Sequence, residues 1–197
     1  MAYERFNADN AAMLLIDHQV GTLNWMHSAP KDEVKRNTLA LAKAAKAVGM
    51  PVLLTSSMEW EAQGPLFPEF EAILPAEFEA RIKRAGIVDA FDDADFAEAV
   101  RALGRQKLIM AGLLTEVCVV YPALNAADEG YEIQVIADAS GSATKVGDEI
   151  ALDRMRQAGV AVASTVQMMS EMVSNWAEGA GPQVMPVLSE LYAELAA

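Results

Sequence analysis

Short apolar runs alternate with longer amphipathic stretches along this chain. A run that is apolar on both faces belongs inside a parallel sheet, and the stretch between two such runs supplies the crossover helix that a parallel connection needs. Ala11–Ile16, Val52–Thr55, Lys107–Gly112, Glu132–Asp138 and Val160–Ser164 read as strands. Asp32–Val48, Asp92–Leu103, Val117–Glu129, Asp148–Ala158 and Thr165–Trp176 read as helices. Gly49, Gly104, Gly130 and Gly159 follow the first four of these, where a left-handed residue ends a helix. Asp92-Asp93 supplies a capping carboxylate at the start of the second. The pattern predicts βαβ units around a parallel sheet.

Two segments break the alternation. Ser56–Ala80 carries Gly64, Pro65, Pro68 and Pro75 and reads as a long loop with short helical turns, either a functional surface or a plain excursion. Gly179–Ala197 reads as a loop and a short helix with Val187, Leu188, Leu191 and Leu195 on one side, an apolar stripe that docks on its own domain or on a neighbour. A length of 197 residues suits one domain spanning 1–197, with a core over about 11–176 and a helical tail over 179–197, since single cores grow to roughly 250–300 residues.

Composition excludes several function classes. Hydrophobic residues at 53% argue against disorder. A net charge of −13 repels phosphate backbones, and Lys35-Arg36 and Lys83-Arg84 are the only adjacent basic pairs, so no nucleic-acid partner is expected. No apolar run approaches the ~20 residues that span a bilayer. The single cysteine allows no intrachain disulfide, and Met1–Asn10 is polar, without the apolar core of a secretory signal. The expectation is a cytoplasmic chain without a membrane partner.

In an open parallel sheet, ligands sit beyond the carboxyl ends of the strands, near the point where strand order reverses. Asp17, Gly112–Cys118 and Asp138 occupy such ends. Cys118 falls at the start of an expected helix, whose unpaired N–H groups and dipole favour a thiolate and can hold an oxyanion. A lone cysteine is also a common inert core residue. Asp17 follows four apolar residues, where poor solvation raises a carboxyl toward the range of a useful base; it could equally cap its own turn. Asp138 poses the same question, and Ser140-Gly141 beside it points to a turn. Lys83 or Arg84 could balance the charges of Asp17 and a thiolate, or lie on a solvated edge. The only histidines are His18 and His27, and neither a CxxC pair nor a glycine-rich phosphate loop is present.

Three segments carry a resemblance. Leu14-Leu15-Ile16-Asp17-His18-Gln19-Val20-Gly21 resembles the opening strand and Asp-x-Gln segment of the isochorismatase-like hydrolases. Ala111–Val119 resembles their cysteine signature, and Asn125–Tyr131 with Val135–Gly141 resembles the segments that follow it. The Asp17-His18-Gln19, Gly64-Pro65-Leu66 and Asp153-Arg154-Met155 stretches are most similar to the YcaC-like branch. The resemblance implies a Rossmann-like three-layer α/β/α sandwich with a six-stranded parallel sheet. It implies a triad of Asp17, a basic residue and Cys118, with Asp17 as base and Cys118 as the nucleophile that forms an acyl-enzyme. It also implies a cis peptide at Leu113–Leu114 and an oxyanion hole from the N–H groups of Leu114 and Cys118.

The basic residue of the family is usually lysine. Here spacing favours Arg84 for that place, with Lys83 as the other option, and an arginine cannot shuttle a proton. Nicotinamidases of the superfamily bind a metal through histidines after the second strand. Thr55–Trp60 contains none, so neither metal nor other cofactor is expected. Isochorismatases that cleave a vinyl ether lack the cysteine, so Cys118 implies hydrolysis of a C–N bond in a small molecule. Gln19, Trp60 and Phe67 are the expected pocket residues. Members of this branch form large homo-oligomers, often octamers, and the helix around Met168 and the C-terminal helix are the expected contact surfaces. The alternative is a non-catalytic oligomeric scaffold or binding protein that keeps the hydrolase fold, which the arginine would favour.

Overall fold

The structure is a computed structural model that describes residues 4–195. The first three residues of the polar N-terminal stretch and the Leu195 side chain of the tail stripe lie outside the described residues. Six strands, β1 (Ala11–Ile16), β2 (Val52–Ser57), β3 (Ile82–Arg84), β4 (Lys107–Gly112), β5 (Glu132–Ile136) and β6 (Ala161–Ala163), form one parallel sheet in the order β3-β2-β1-β4-β5-β6. That order reverses between β1 and β4, which makes their carboxyl ends the switch point of a doubly wound fold.

Strand alternation divides β1 between two cores. Met13 and Leu15 pack with α2 (Lys31–Ala47), α8 (Thr165–Val173) and α9 (Gly181–Leu195). Ala12, Leu14 and Ile16 pack with α5 (Ala94–Ala102), α6 (Val120–Asp128) and α7 (Lys145–Gln157). Helices therefore cover both faces, giving the three-layer α/β/α sandwich. The methionines of α8, Met168, Met169 and Met172, are buried in the first core. Among the described residues no helix is long and apolar enough to cross a membrane.

Element boundaries moved where side-chain caps act. Thr144 accepts from the Gly147 N–H at 3.0 Å, so α7 begins at Lys145 rather than at Asp148. Strand β2 runs on to Ser57 because β3 pairs with it there, Ser57 opposite Arg84. The irregular middle holds two short helices, α3 (Glu69–Ile73) and α4 (Pro75–Glu79). The tail helix α9 is longer than expected and carries Pro186 within it. A short helix after the first strand, α1 (Val20–Trp25), has no clear apolar period and was not legible.

Two glycines bring the switch point together. A Cβ on Gly112 would lie 2.6 Å from the Ile16 carbonyl oxygen, so glycine is what lets β4 close on β1 there. A Cβ on Gly21 would lie 1.9 Å from the Ala62 carbonyl oxygen, and the Gly21 N–H instead donates to the Gln63 carbonyl at 2.8 Å. That contact pins the irregular segment over α1.

Candidate active site

Asp17 stands one residue past β1 with φ 56°, a left-handed conformation that aspartate tolerates better than most residues. The turn takes the carboxylate out of the strand's alternation and into the switch point, where it is 1% exposed. Arg84 ends β3 and is equally buried, while its neighbour Lys83 points outward and pairs with Glu59 at 3.8 Å. Of the two basic residues, alternation along β3 thus sends Arg84 inward. Its Nη2 donates to both Asp17 carboxylate oxygens at 2.5 Å, its Nε to Thr55 Oγ1 at 3.1 Å, and its Nη1 to the Ile87 carbonyl at 2.7 Å.

Cys118 completes the cluster. Its thiol hydrogen-bonds to the Asp17 carboxylate. The expected helix start at Val117 is instead a π-helical turn, Thr115–Val119, followed by α6. The loop after β5 holds this turn. Ser140 Oγ accepts from the Gly112 N–H at 3.1 Å, the Gly141 carbonyl from Thr115 N–H at 2.9 Å, and Ser142 Oγ from Glu116 N–H at 3.2 Å. The Leu114 carbonyl accepts from Val117 N–H at 3.0 Å and Cys118 N–H at 2.7 Å.

These bonds change the electrostatics expected from a helix start. The Thr115, Val117 and Cys118 N–H groups are already paired, and the Leu114 backbone hydrogen bond that favours a thiolate is outweighed. Burial pushes the Cys118 thiol well above its ordinary range, the Asp17 charge pushes it further, and Arg84 opposes both. Asp17 is itself raised by burial, against the pull of Arg84 and of the thiol hydrogen bond. The arrangement is a thiol facing the Asp17 carboxyl, with Arg84 paired to that carboxyl as a fixed counterion. Such a pair can pass a proton from sulfur to carboxylate as the sulfur attacks.

The peptide bond Leu113–Leu114 is cis. The Leu114 backbone hydrogen-bonds to the Cys118 sulfur, an interaction that favours the thiolate. The Cys118 N–H is engaged with Leu114 and would have to be shared with an oxyanion.

Asp17, Arg84 and Cys118 line a cavity of about 180 Å³ together with Gln19, Thr22, Ser57 and Gln63 and with apolar Trp25, Met58, Ile87, Val88, Leu114 and Val117. Of the pocket residues expected from sequence, Gln19 lines the cavity, but its amide is spent as a clamp. It donates to the carbonyls of Ser57 and Gly64 and accepts from the Ser57 N–H at 3.0 Å. Trp60 and Phe67 do not line the cavity. Trp60 is 63% exposed on the surface, and Phe67 is buried against Phe70 and His18 because its chain turns inward where its N–H meets the His18 carbonyl. The apolar walls come instead from α1 and from the loops after β2 and β3.

The remaining polar candidates have structural roles. Asp138 Oδ1 accepts from the Thr165 N–H and hydroxyl at 2.7 and 2.8 Å, tying β5 to the start of α8. His18 Nε2 donates to the Ala139 carbonyl at 2.9 Å, and burial holds its pKa down at about 4. Among the described residues no group of three or more His, Cys, Asp or Glu could hold a metal ion.

An isochorismatase-domain family model matches residues 11–167. The chain belongs to the isochorismatase family. As a member it is a hydrolase, and within the family it is YcaC-like. It is 40% identical over 174 residues to the Escherichia coli protein named Probable hydrolase YcaC, covering 88% of this chain and 83% of that one. The crystal structure of the Escherichia coli YcaC gene product, described as an octameric hydrolase of unknown specificity, superposes with TM-score 0.89 at 38% identity, covering 98% of this chain and 91% of the other. YcaC from Pseudomonas aeruginosa, with hexane-2,5-diol and covalent acrylamide, superposes with TM-score 0.91 at 35% identity, covering 100% of this chain and 97% of the other. The family match starts at the first residue of β1 and ends within α8, so it spans the whole sheet and every residue of the cluster described above.

Proposed function

We propose that the chain is a metal-independent cysteine hydrolase that cleaves a C–N, amide-like bond of a small molecule through an acyl-enzyme on Cys118. The observation that carries this reading is the buried Cys118–Asp17–Arg84 cluster opening into a cavity at the switch point. Cys118 Sγ attacks the carbonyl carbon while its proton moves to Asp17. The oxyanion is met by the Leu114 N–H, with the Cys118 N–H shared. The C–N bond breaks as Asp17 returns the proton to the leaving nitrogen, leaving a thioester. Asp17 then takes a proton from water, the hydroxide adds to the thioester, and the thiol departs with the proton from Asp17. Arg84 stays charged throughout and keeps Asp17 oriented, a task that does not need the family's lysine.

The covalent acrylamide in the Pseudomonas aeruginosa relative supports a nucleophile in a site of this type. The octamer of the Escherichia coli relative supports a homo-oligomer here. We place this single-domain enzyme in the cytoplasm with a small-molecule substrate and no resident cofactor.

Intact-mass spectrometry with a panel of small amides and activated esters tests the reading. The expected result is an acyl adduct on Cys118 that disappears with time, release of ammonia or amine, and neither in Cys118→Ser. A parent protein that acquires no adduct and releases no amine from any of them would favour the scaffold instead.

A further inference from the structure

The cavity contains no charge left over for a ligand. Among the described residues Asp17 and Arg84 are the only acidic and basic side chains that line it, and each is committed to the other. The guanidinium has every nitrogen engaged, by Asp17, Thr55 and Ile87. Gln19 has both its amide atoms spent on backbone. What remains is neutral. Thr22 is 4% exposed and its hydroxyl has no partner. A helical threonine has two accessible rotamers, so a turn about χ1 can exchange its methyl for its hydroxyl at the cavity wall. The Gln63 amide donates only to the Met58 sulfur at 3.7 Å, a weak acceptor that a better one displaces.

Size and field add to this. A cavity of about 180 Å³ is small for a ligand site, so it takes a short chain. The apolar walls from Trp25, Met58, Ile87 and Val88 offer a carboxylate or an ammonium nothing in exchange for its hydration. The net charge of −13 further disfavours anions approaching the mouth.

We infer that the site selects an uncharged, short-chain carboxamide whose polar atoms are met by Gln63 and Thr22, and that it rejects amides of the same size that bear a carboxylate. This rests on the amide-hydrolase reading for the chemistry, but the selection against charge is a property of binding and is tested as such.

Succinamide and succinamate differ by one charge at nearly equal size. The rate of Cys118 alkylation by iodoacetamide is measured against rising concentrations of each, and ammonia release is followed in the same samples. Succinamide should half-protect the thiol at a concentration at least roughly tenfold lower than succinamate does. Gln63→Arg, which adds an uncommitted cation at a half-buried position, should erase or invert that ratio. Thr22→Val should weaken succinamide protection and Thr22→Ser should keep it. Protection by succinamate equal to that by succinamide in the parent, or by neither compound, overturns the inference. Ordered protection without ammonia release counts against hydrolysis of these amides and still supports the selection against charge.

Discussion

Replacing Arg84 with methionine isolates the electrostatics on which the site depends. Methionine fills much of the same volume, so packing changes little, but three interactions of a fully buried guanidinium disappear. The main consequence falls on Asp17. A carboxylate that is 1% exposed loses its counterion, and breaking a buried pair from one side costs about 3–5 kcal/mol. For a chain of this size that corresponds to a fall in Tm of roughly 6–20 °C. The cost is pH-dependent, with a definite sign. Burial already raises Asp17 in the parent, and the variant removes the influence of Arg84 that opposes it. The folded variant then binds a proton more tightly than the unfolded chain, whose carboxyl titrates near ~3.9. Stability relative to the parent is therefore best preserved at or below about pH 4 and is lost as pH rises toward the folded-state value. Urea unfolding at about pH 4 and about pH 7 measures both limbs. The double variant Asp17→Asn, Arg84→Met carries no buried charge and should recover a large part of the neutral-pH loss. A penalty for Arg84→Met that is the same at both pH values, or a double variant no more stable than the single one, would refute this account of the pair.

Two further substitutions probe other links. Asp17→Asn removes the charge that helps push the Cys118 thiol up while leaving that of Arg84, so the pH profile of iodoacetamide alkylation should move to lower pH. Amide turnover should nevertheless fall by about 100- to 10,000-fold, because the base is gone; an alkylation profile that stays put or moves upward contradicts the assigned coupling. Gly112→Ala places a methyl group 2.6 Å from the Ile16 carbonyl oxygen and 2.9 Å from Val119 Cγ2, and overpacking at such a site costs about 1–3 kcal/mol. A urea midpoint within error of the parent would show that β1 and β4 can part without penalty.

The sheet was legible because its central strands are unambiguous. Ala11–Ile16 and Lys107–Gly112 are buried at every position, the environment of strands in a parallel sheet covered on both faces. Asp17 and Cys118 were legible for the same reason, as the residues that follow those two strands. The choice between Lys83 and Arg84 needed the strand itself, since adjacent residues face opposite sides and only the pairing of Ser57 with Arg84 fixes which one turns in. The pocket walls were not legible. Trp60 and Phe67 were aromatic residues in the right loop, but a loop has no period to say where a ring points. One ring went to the surface and the other into the core, while Trp25 reached the cavity from a helix without an apolar pattern.

The thiol is the instructive departure. A cysteine after a buried strand reads as a residue at a helix N-terminus, where free N–H groups favour the thiolate. The chain instead satisfies those groups locally, through Leu114 and through Ser140, Gly141 and Ser142 of the next loop. What remains in favour of the thiolate, the Leu114 backbone and Arg84, is outweighed by burial and the Asp17 charge. With burial and a carboxylate both opposing the thiolate, the proposed mechanism has the proton move to Asp17 during attack. Burial raises Asp17 while Arg84 pulls the other way, which suits it to that step. On that proposed mechanism an arginine, which never gives up its proton, can serve as the counterion.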